Sequence, residues 1–183
     1  MNNNGNHASA PKPAPAADPM NDLRLSAARK RLAESRDEQD AIEGLREIVG
    51  NLLGCEEIGL FKVDPRSNSF SVCWSFGADL DNYDLSHALG ATGRQRVMQG
   101  NCHIDLADRD RSSGMAKAQA FVPIRVANQT IGILAILRLL PQKIAFDAHD
   151  MELFKLLSEE AAKPLFGFDS HSGSTPARSG MKP

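Results

Sequence analysis

The chain has no excess of positive charge. Its 21 Lys and Arg stand against 23 Asp and Glu, giving a net charge of −2, so it lacks the basic footprint that a nucleic-acid binder sets against phosphates. The two signs are interleaved, which implies no single-sign field. Cysteine is scarce. Cys55, Cys73 and Cys102 are odd in number and widely spaced, which excludes a disulfide framework. None has the C-x-x-C spacing of a structural zinc site. Such cysteines fit a reducing compartment, where they sit as small hydrophobes. The polar N-terminus has no apolar h-region, so no secretory signal is expected. The longest mostly apolar run, residues 130–141, is interrupted by Arg138 and is far too short to cross a bilayer. Neither nucleic acid nor membrane is expected as a partner, the expected location is cytoplasmic, and no cofactor is required by the sequence.

What is present suffices for one domain. Apolar residues make up 42% of the 183, enough for a core at this length. Residues 1–20 combine Asn, Pro and Ala, and residues 167–183 are similarly poor in large apolar side chains. Neither stretch can bury enough surface to offset chain entropy, so both are expected to be disordered tails around a domain at 21–166.

Within that domain, residues 21–53 lack proline and are rich in Leu, Ala, Arg and Glu, which predicts helix. Ile42, Leu45, Ile48, Val49, Leu52 and Leu53 recur at threes and fours, one buried stripe. Upstream, Leu25, Ala28 and Leu32 precede a polar stretch in which Ser35 and Glu38 have the form of a capping box. Two readings stay open: one continuous helix, or a leading helix to about Ala33 and a core helix starting after Ser35. Gly54 is the expected C-terminal cap.

Residues 57–63 and 69–76 predict a hairpin around the turn formers 64–68. In the second strand Phe70, Val72, Trp74 and Phe76 alternate with Ser71, Cys73 and Ser75, the period of a half-buried strand. A short helix is expected over 93–99, a short strand over 102–105 and a charged loop over 108–114. A second hairpin, 118–126 with 130–139, is expected to bury Phe121, Ile124, Ile131 and Ile133. The closing helix, 147–165, has Asp147 at its N-cap and Asp150 as a first-turn acid. Its stripe is Met151, Phe154, Leu157, Ala161 and Leu165. Hairpins dominate and no β-α-β alternation occurs, so the fold class is α+β: an antiparallel sheet with helices on one face.

Four stretches of this pattern resemble a GAF domain. They are the helix and strand 42–63; Gly93-Arg94-Gln95-Arg96-Val97-Met98-Gln99-Gly100 before Cys102-His103-Ile104-Asp105; the hairpin Phe121-Val122-Pro123-Ile124-Arg125-Val126 with Ile131-Gly132-Ile133-Leu134; and Phe146-Asp147 with Asp150 leading into the last helix. The resemblance covers residues 22–166. It implies about six antiparallel strands, helices behind them with the N- and C-terminal helices adjacent, and a pocket over the other face. It also implies dimerisation through the first and last helices.

Candidate site residues follow. Cyclic-nucleotide-binding members of the family carry a motif near the last helix that Lys143, Phe146 and Asp150 match and Gln142 and Met151 do not. The resemblance implies that Lys143 and Asp150 pair; the residues alone suggest an ordinary surface ion pair. The candidate pocket comprises Trp74, Phe76, Arg94, Val97, Cys102 and Phe121, with the forked guanidinium of Arg94 suited to carboxylate or phosphate. Against this stands the commoner role of strand aromatics as core. Free-methionine sulfoxide reductases are single GAF domains that pass through a sulfenic acid, and only Cys102 lies where that group places reactive thiols. Bilin-binding members have a Cys-His dipeptide; Cys102-His103 is one, in the wrong place.

The expected function is a non-enzymatic regulatory module that binds a small molecule or a protein partner. No output domain is present, so it would act on a partner in trans or through a homodimer. The dimer is expected through residues 23–53 and 147–165, because Leu153 and Leu156 fall off the closing helix's stripe and Leu25, Ala28 and Leu32 have no sheet segment to cover them; the alternative is that Leu153 and Leu156 cover the first helix of the same chain and the leading helix is frayed. The rivals are a ligand-free scaffold and a thiol reductase.

Overall fold

The computed structural model describes residues 18–105 and 120–167. The expected charged loop at 108–114, and the expected tails except for residues 18–20 and 167, lie outside the described residues. The elements are α1 (Pro19–Ala33), α2 (Glu38–Ile48), β1 (Cys55–Val63), β2 (Phe70–Phe76), α3 (Leu85–Met98), β3 (His103–Ile104), β4 (Ala120–Val126), β5 (Gln129–Leu139), α4 (Ala148–Glu160) and α5 (Ala162–Phe166).

The N-terminal helical region is two helices, the second of the open readings. Their boundary differs from the capping box expected at Ser35. Asp37 is the N-cap of α2 and accepts from the Asp40 N–H at 2.8 Å, while Ser35 bonds back to the Arg31 carbonyl. A carboxylate at the N-cap also complements the helix dipole. α2 ends in a π turn, Val49–Leu53, closed by Gly54 at φ +67°, a conformation that glycine adopts without a Cβ clash. α1 begins at Pro19 with Asp18 as its cap, earlier than the expected boundary at residue 21.

The sheet has five strands among the described residues, against about six expected, in the order β2-β1-β5-β4-β3 with every neighbouring pair antiparallel. Alternation along β4 and β5 divides the core. Val122, Ile124, Leu134 and Ile136 face α2, α4 and α5, whereas Phe121, Ile133, Ala135 and Leu137 face α3. The terminal helices therefore share one face as expected, and α3 takes the other. Ile131 is only half-buried, unlike Phe121, Ile124 and Ile133.

β2 departs from its expected alternation. Leu60 pairs with Trp74 and Phe61 with Val72, so a bulge leaves Cys73 extra. The bulge reverses the pleat. Trp74 and Phe76 share the pleat face of Leu60 and Ile58, toward the terminal helices, whereas Phe70 and Val72 point to the α3 side. β2 is also an edge strand, with Val72 and Phe76 exposed.

α1 and α4 lie side by side. Asn21 donates to Glu152 and Arg29 to Glu160, each pair 131 positions apart, and Asp18 with His149 keeps the same offset. A constant offset means the two helices run parallel. Leu153 and Leu156 are buried within the single chain, in one cluster with Ala28 and Leu32. The apolar surplus expected to drive dimerisation is thus covered by the chain's own α1. Met151, expected in the buried stripe, is exposed.

Candidate functional site

Two places gather polar chemistry. The first is a groove on the α3 side, with a volume of about 390 Å³. Phe61, Phe70, Val72 and Tyr83 form its apolar part, and Ser67, Ser69, Asp84, Ser86 and Arg94 bring polar groups to it. One wall is the β1–β2 turn, which is fixed by its own bonds. The Asp64 carboxylate accepts from the Arg66 N–H and the Ser67 hydroxyl, each at 2.8 Å. The Arg66 N–H, first, and the Ser67 hydroxyl, second, hold that carboxyl below its ordinary pKa. Asn68 sits at φ +53° and its N–H donates to the Asp64 carbonyl, a left-handed conformation that Asn tolerates better than most residues. The turn thus presents the Asn68 carbonyl to Arg94, whose Nη2 donates to it at 2.7 Å. The guanidinium lies 5.2 Å from the centre of the Phe70 ring, a cation–π distance.

The other wall is α3, which is longer than the expected 93–99. It starts at Leu85 with Asp84 as N-cap, the Asp84 carboxylate accepting from the His87 N–H at 3.0 Å. It breaks at Gly90, where φ is +60° and ψ −177°. Beneath α3 the sheet face is filled. Val97 and Phe121 are buried there with Leu80, Leu85 and Leu89. His103 stacks on Phe121, and a Cβ at Gly93 would stand 2.6 Å from the His103 ring, so α3 rests directly on β3.

Of the six expected pocket residues, only Arg94 lines this groove. Val97 and Phe121 are core on the same side. Trp74 and Phe76 lie on the opposite side, stacked on one another with Arg46 over Phe76, because the bulge at Cys73 turned them. Cys102 packs against the terminal-helix cluster. Phe61, Phe70, Tyr83, Asp84 and Ser86 were not anticipated as site residues. The only local signal was Asp84 three residues before His87, the spacing of an N-cap.

The second place is Asp150, which is 1% exposed. Lys143 Nζ lies 2.7 Å from its Oδ2 and Arg24 Nη2 lies 2.9 Å from its Oδ1. Its Oδ2 also accepts from the Asp147 N–H, while Asp147 accepts from the Asp150 N–H, a reciprocal capping box. Burial alone would raise this carboxyl, but Lys143, the Asp147 N–H and Arg24 outweigh it and hold the pKa below the ordinary value. Arg24 also donates to the Leu52 carbonyl. One buried carboxylate thus joins α1, the end of the α2 region, the β5–α4 loop and α4. This is not the surface ion pair that the residues alone suggested. Arg24 was not anticipated, since nothing local links it to a residue so distant in sequence.

Two of the three thiols are subdued. Burial pushes Cys55 up to about 12 and Cys102 up to about 11, so both are protonated at neutral pH, and the thiolate is the nucleophile. Among the described residues no group of His, Cys, Asp and Glu is placed to hold a metal ion. Nor is any helix of the described residues long and apolar enough to cross a membrane.

Comparison with known proteins gives the same fold. The family model described as GAF domain matches residues 37–165. No curated protein matches the sequence. The GAF domain of a phosphoenolpyruvate-protein phosphotransferase from Coxiella burnetii is 16% identical, with 81% of this chain and 95% of that one covered and a TM-score of 0.58. The corresponding Acinetobacter domain is 17% identical over 80% and 95%, with a TM-score of 0.56. A type II free methionine-R-sulfoxide reductase from Thermoplasma acidophilum is 13% identical over 79% and 96%, with a TM-score of 0.51. At these identities the likeness is one of fold. The family match begins at residue 37, after α1.

Proposed function

This chain belongs to the GAF domain family, and we propose that it is a non-enzymatic regulatory module that passes a binding event to a second copy of itself through α1 and α4. The observation that carries the reading is the position of Asp150. It ties α1, which lies ahead of the family match, to the loop that leaves the sheet at β5. A shift in the sheet or its loops would change the hold on α1. The partner face is the outer side of α1, where Met20 and Leu23 are exposed. Exposed apolar side chains one turn apart at the end of a helix are the kind of patch that a subunit contact covers.

Hydrogen exchange tests the coupling. In Arg24→Ala, the amides of α1 should exchange faster while those of β4 and β5 stay protected, since α1 would open as its own unit. Equal protection of α1 in wild type and variant would remove the mechanism. A second reading, a ligand-free scaffold, draws on the filled sheet face beneath α3. The thiol-reductase reading through Cys102 is disfavoured by the burial that raises that thiol. A methionine sulfoxide turnover assay on wild type and Cys102→Ser decides it, and turnover lost in that variant would establish an enzyme.

A further inference from the structure

We propose that the groove between the β1–β2 turn and α3 binds a small aromatic monocarboxylate. The proposal deepens the regulatory reading above by naming its ligand class. Each part of the groove selects part of that chemistry. Arg94 supplies the cation. Its guanidinium has five N–H donors, of which one is directed to the Asn68 carbonyl. The fork that remains matches a carboxylate. Phe70 beneath it and the braced turn beside it hold the group in place before any ligand arrives, which lowers the ordering cost of binding.

The apolar part selects a ring. Val72 is 45% exposed on the edge strand and lines the groove beside Phe61 and Phe70. Tyr83 lies 5.9 Å from Phe61, tilted against it, so ring faces and edges line one side. Aromatic ligands gain from such surfaces beyond simple area burial. The volume, about 390 Å³, is near the lower end for small-molecule sites and suits a single ring.

Asp84 selects against higher charge. Asp84 lines the same groove while its carboxylate caps α3, and a phosphate dianion entering beside that residue meets like-charge repulsion that a monoanion meets less. Arg94 therefore attracts one negative charge and Asp84 penalises a second.

Titration by NMR with phenylacetate as the probe tests the proposal. Resonances of Val72, Tyr83 and Arg94 should shift saturably. Benzyl alcohol, without the charge, should bind about tenfold more weakly or worse, and inorganic phosphate should not compete. Arg94→Met should weaken phenylacetate by about tenfold or more while the protein keeps its folded NMR spectrum. Val72→Trp, which fills the groove from an exposed position, should abolish binding. No saturable shift at millimolar phenylacetate would overturn the proposal, as would equal binding by Arg94→Met or equal competition by phosphate. Hydrogen exchange in α1 with saturating phenylacetate separates the two ideas: binding without any change in α1 supports the site and counts against the regulatory reading.

Discussion

Lys143 meets Asp150 at 2.7 Å, across the loop that carries the chain from the sheet into α4. Arg24 holds the other oxygen of the same carboxylate. Removing Asp150 should therefore be felt in three elements at once. Asp150→Ala leaves two cations facing the gap and breaks the capping box. The expected loss is about 3 kcal/mol by chemical denaturation, the low end for a broken buried pair, because Lys143 and Arg24 keep 21% and 19% exposure and can rehydrate. An unchanged denaturation midpoint would show that the contact adds nothing to stability.

The same carboxylate sets a pH dependence. Its folded pKa lies below the unfolded value, so the stability it contributes is complete above the unfolded pKa, near 4, and is lost as pH falls through the folded one. Stability should decline below about pH 4 in wild type. Asp150→Asn, which cannot titrate, should show a shallower decline. Asp40 and Asp64, also lowered, keep some slope in the variant. Identical acid profiles would assign the whole effect to other groups.

Phe121 is 1% exposed near the start of β4, paired with Ala135 of β5 and beneath α3. Phe121→Ala should lower stability by about 3–5 kcal/mol. A melting curve that does not move would place the side chain at the surface and contradict the sheet register.

Helix α1 starts at Pro19 with the Asp18 carboxylate accepting from the Met20 N–H, and Asp18 also reaches His149 at 3.3 Å. A chain beginning at Asp18 should keep α1 ordered. One beginning at Asn21 should lose about 1 kcal/mol of cap and show faster exchange in the first turns of α1. Equal exchange in the two would mean that the cap is dispensable.

How much of this was legible depends on how far apart the interacting residues lie in sequence. The Asp147 cap, the Gly54 closure and the β4–β5 hairpin depend on residues within a few positions of one another, and the chain displays them directly. Lys143 with Asp150 came from family resemblance, not from periodicity. The faces of Trp74 and Phe76 were misread because a bulge keeps the alternating pattern in the sequence while reversing it in space. The true extent of α3 was hidden by Gly90, which interrupts the helical pattern without ending the element. Of the two readings of Leu153 and Leu156, the sequence favoured a dimer over cover by the first helix, because that cover, α1, lies at the opposite end of the chain.

Light scattering of the full chain at micromolar concentration tests the central claim most directly, because a module that acts through the outer face of α1 on a second copy must form that pair. The account predicts a mass twice the 19.8 kDa of one chain, falling to a single chain in Met20→Glu with Leu23→Glu while the fold is retained. A single-chain mass for wild type across the accessible concentration range, unchanged by those substitutions, would contradict it.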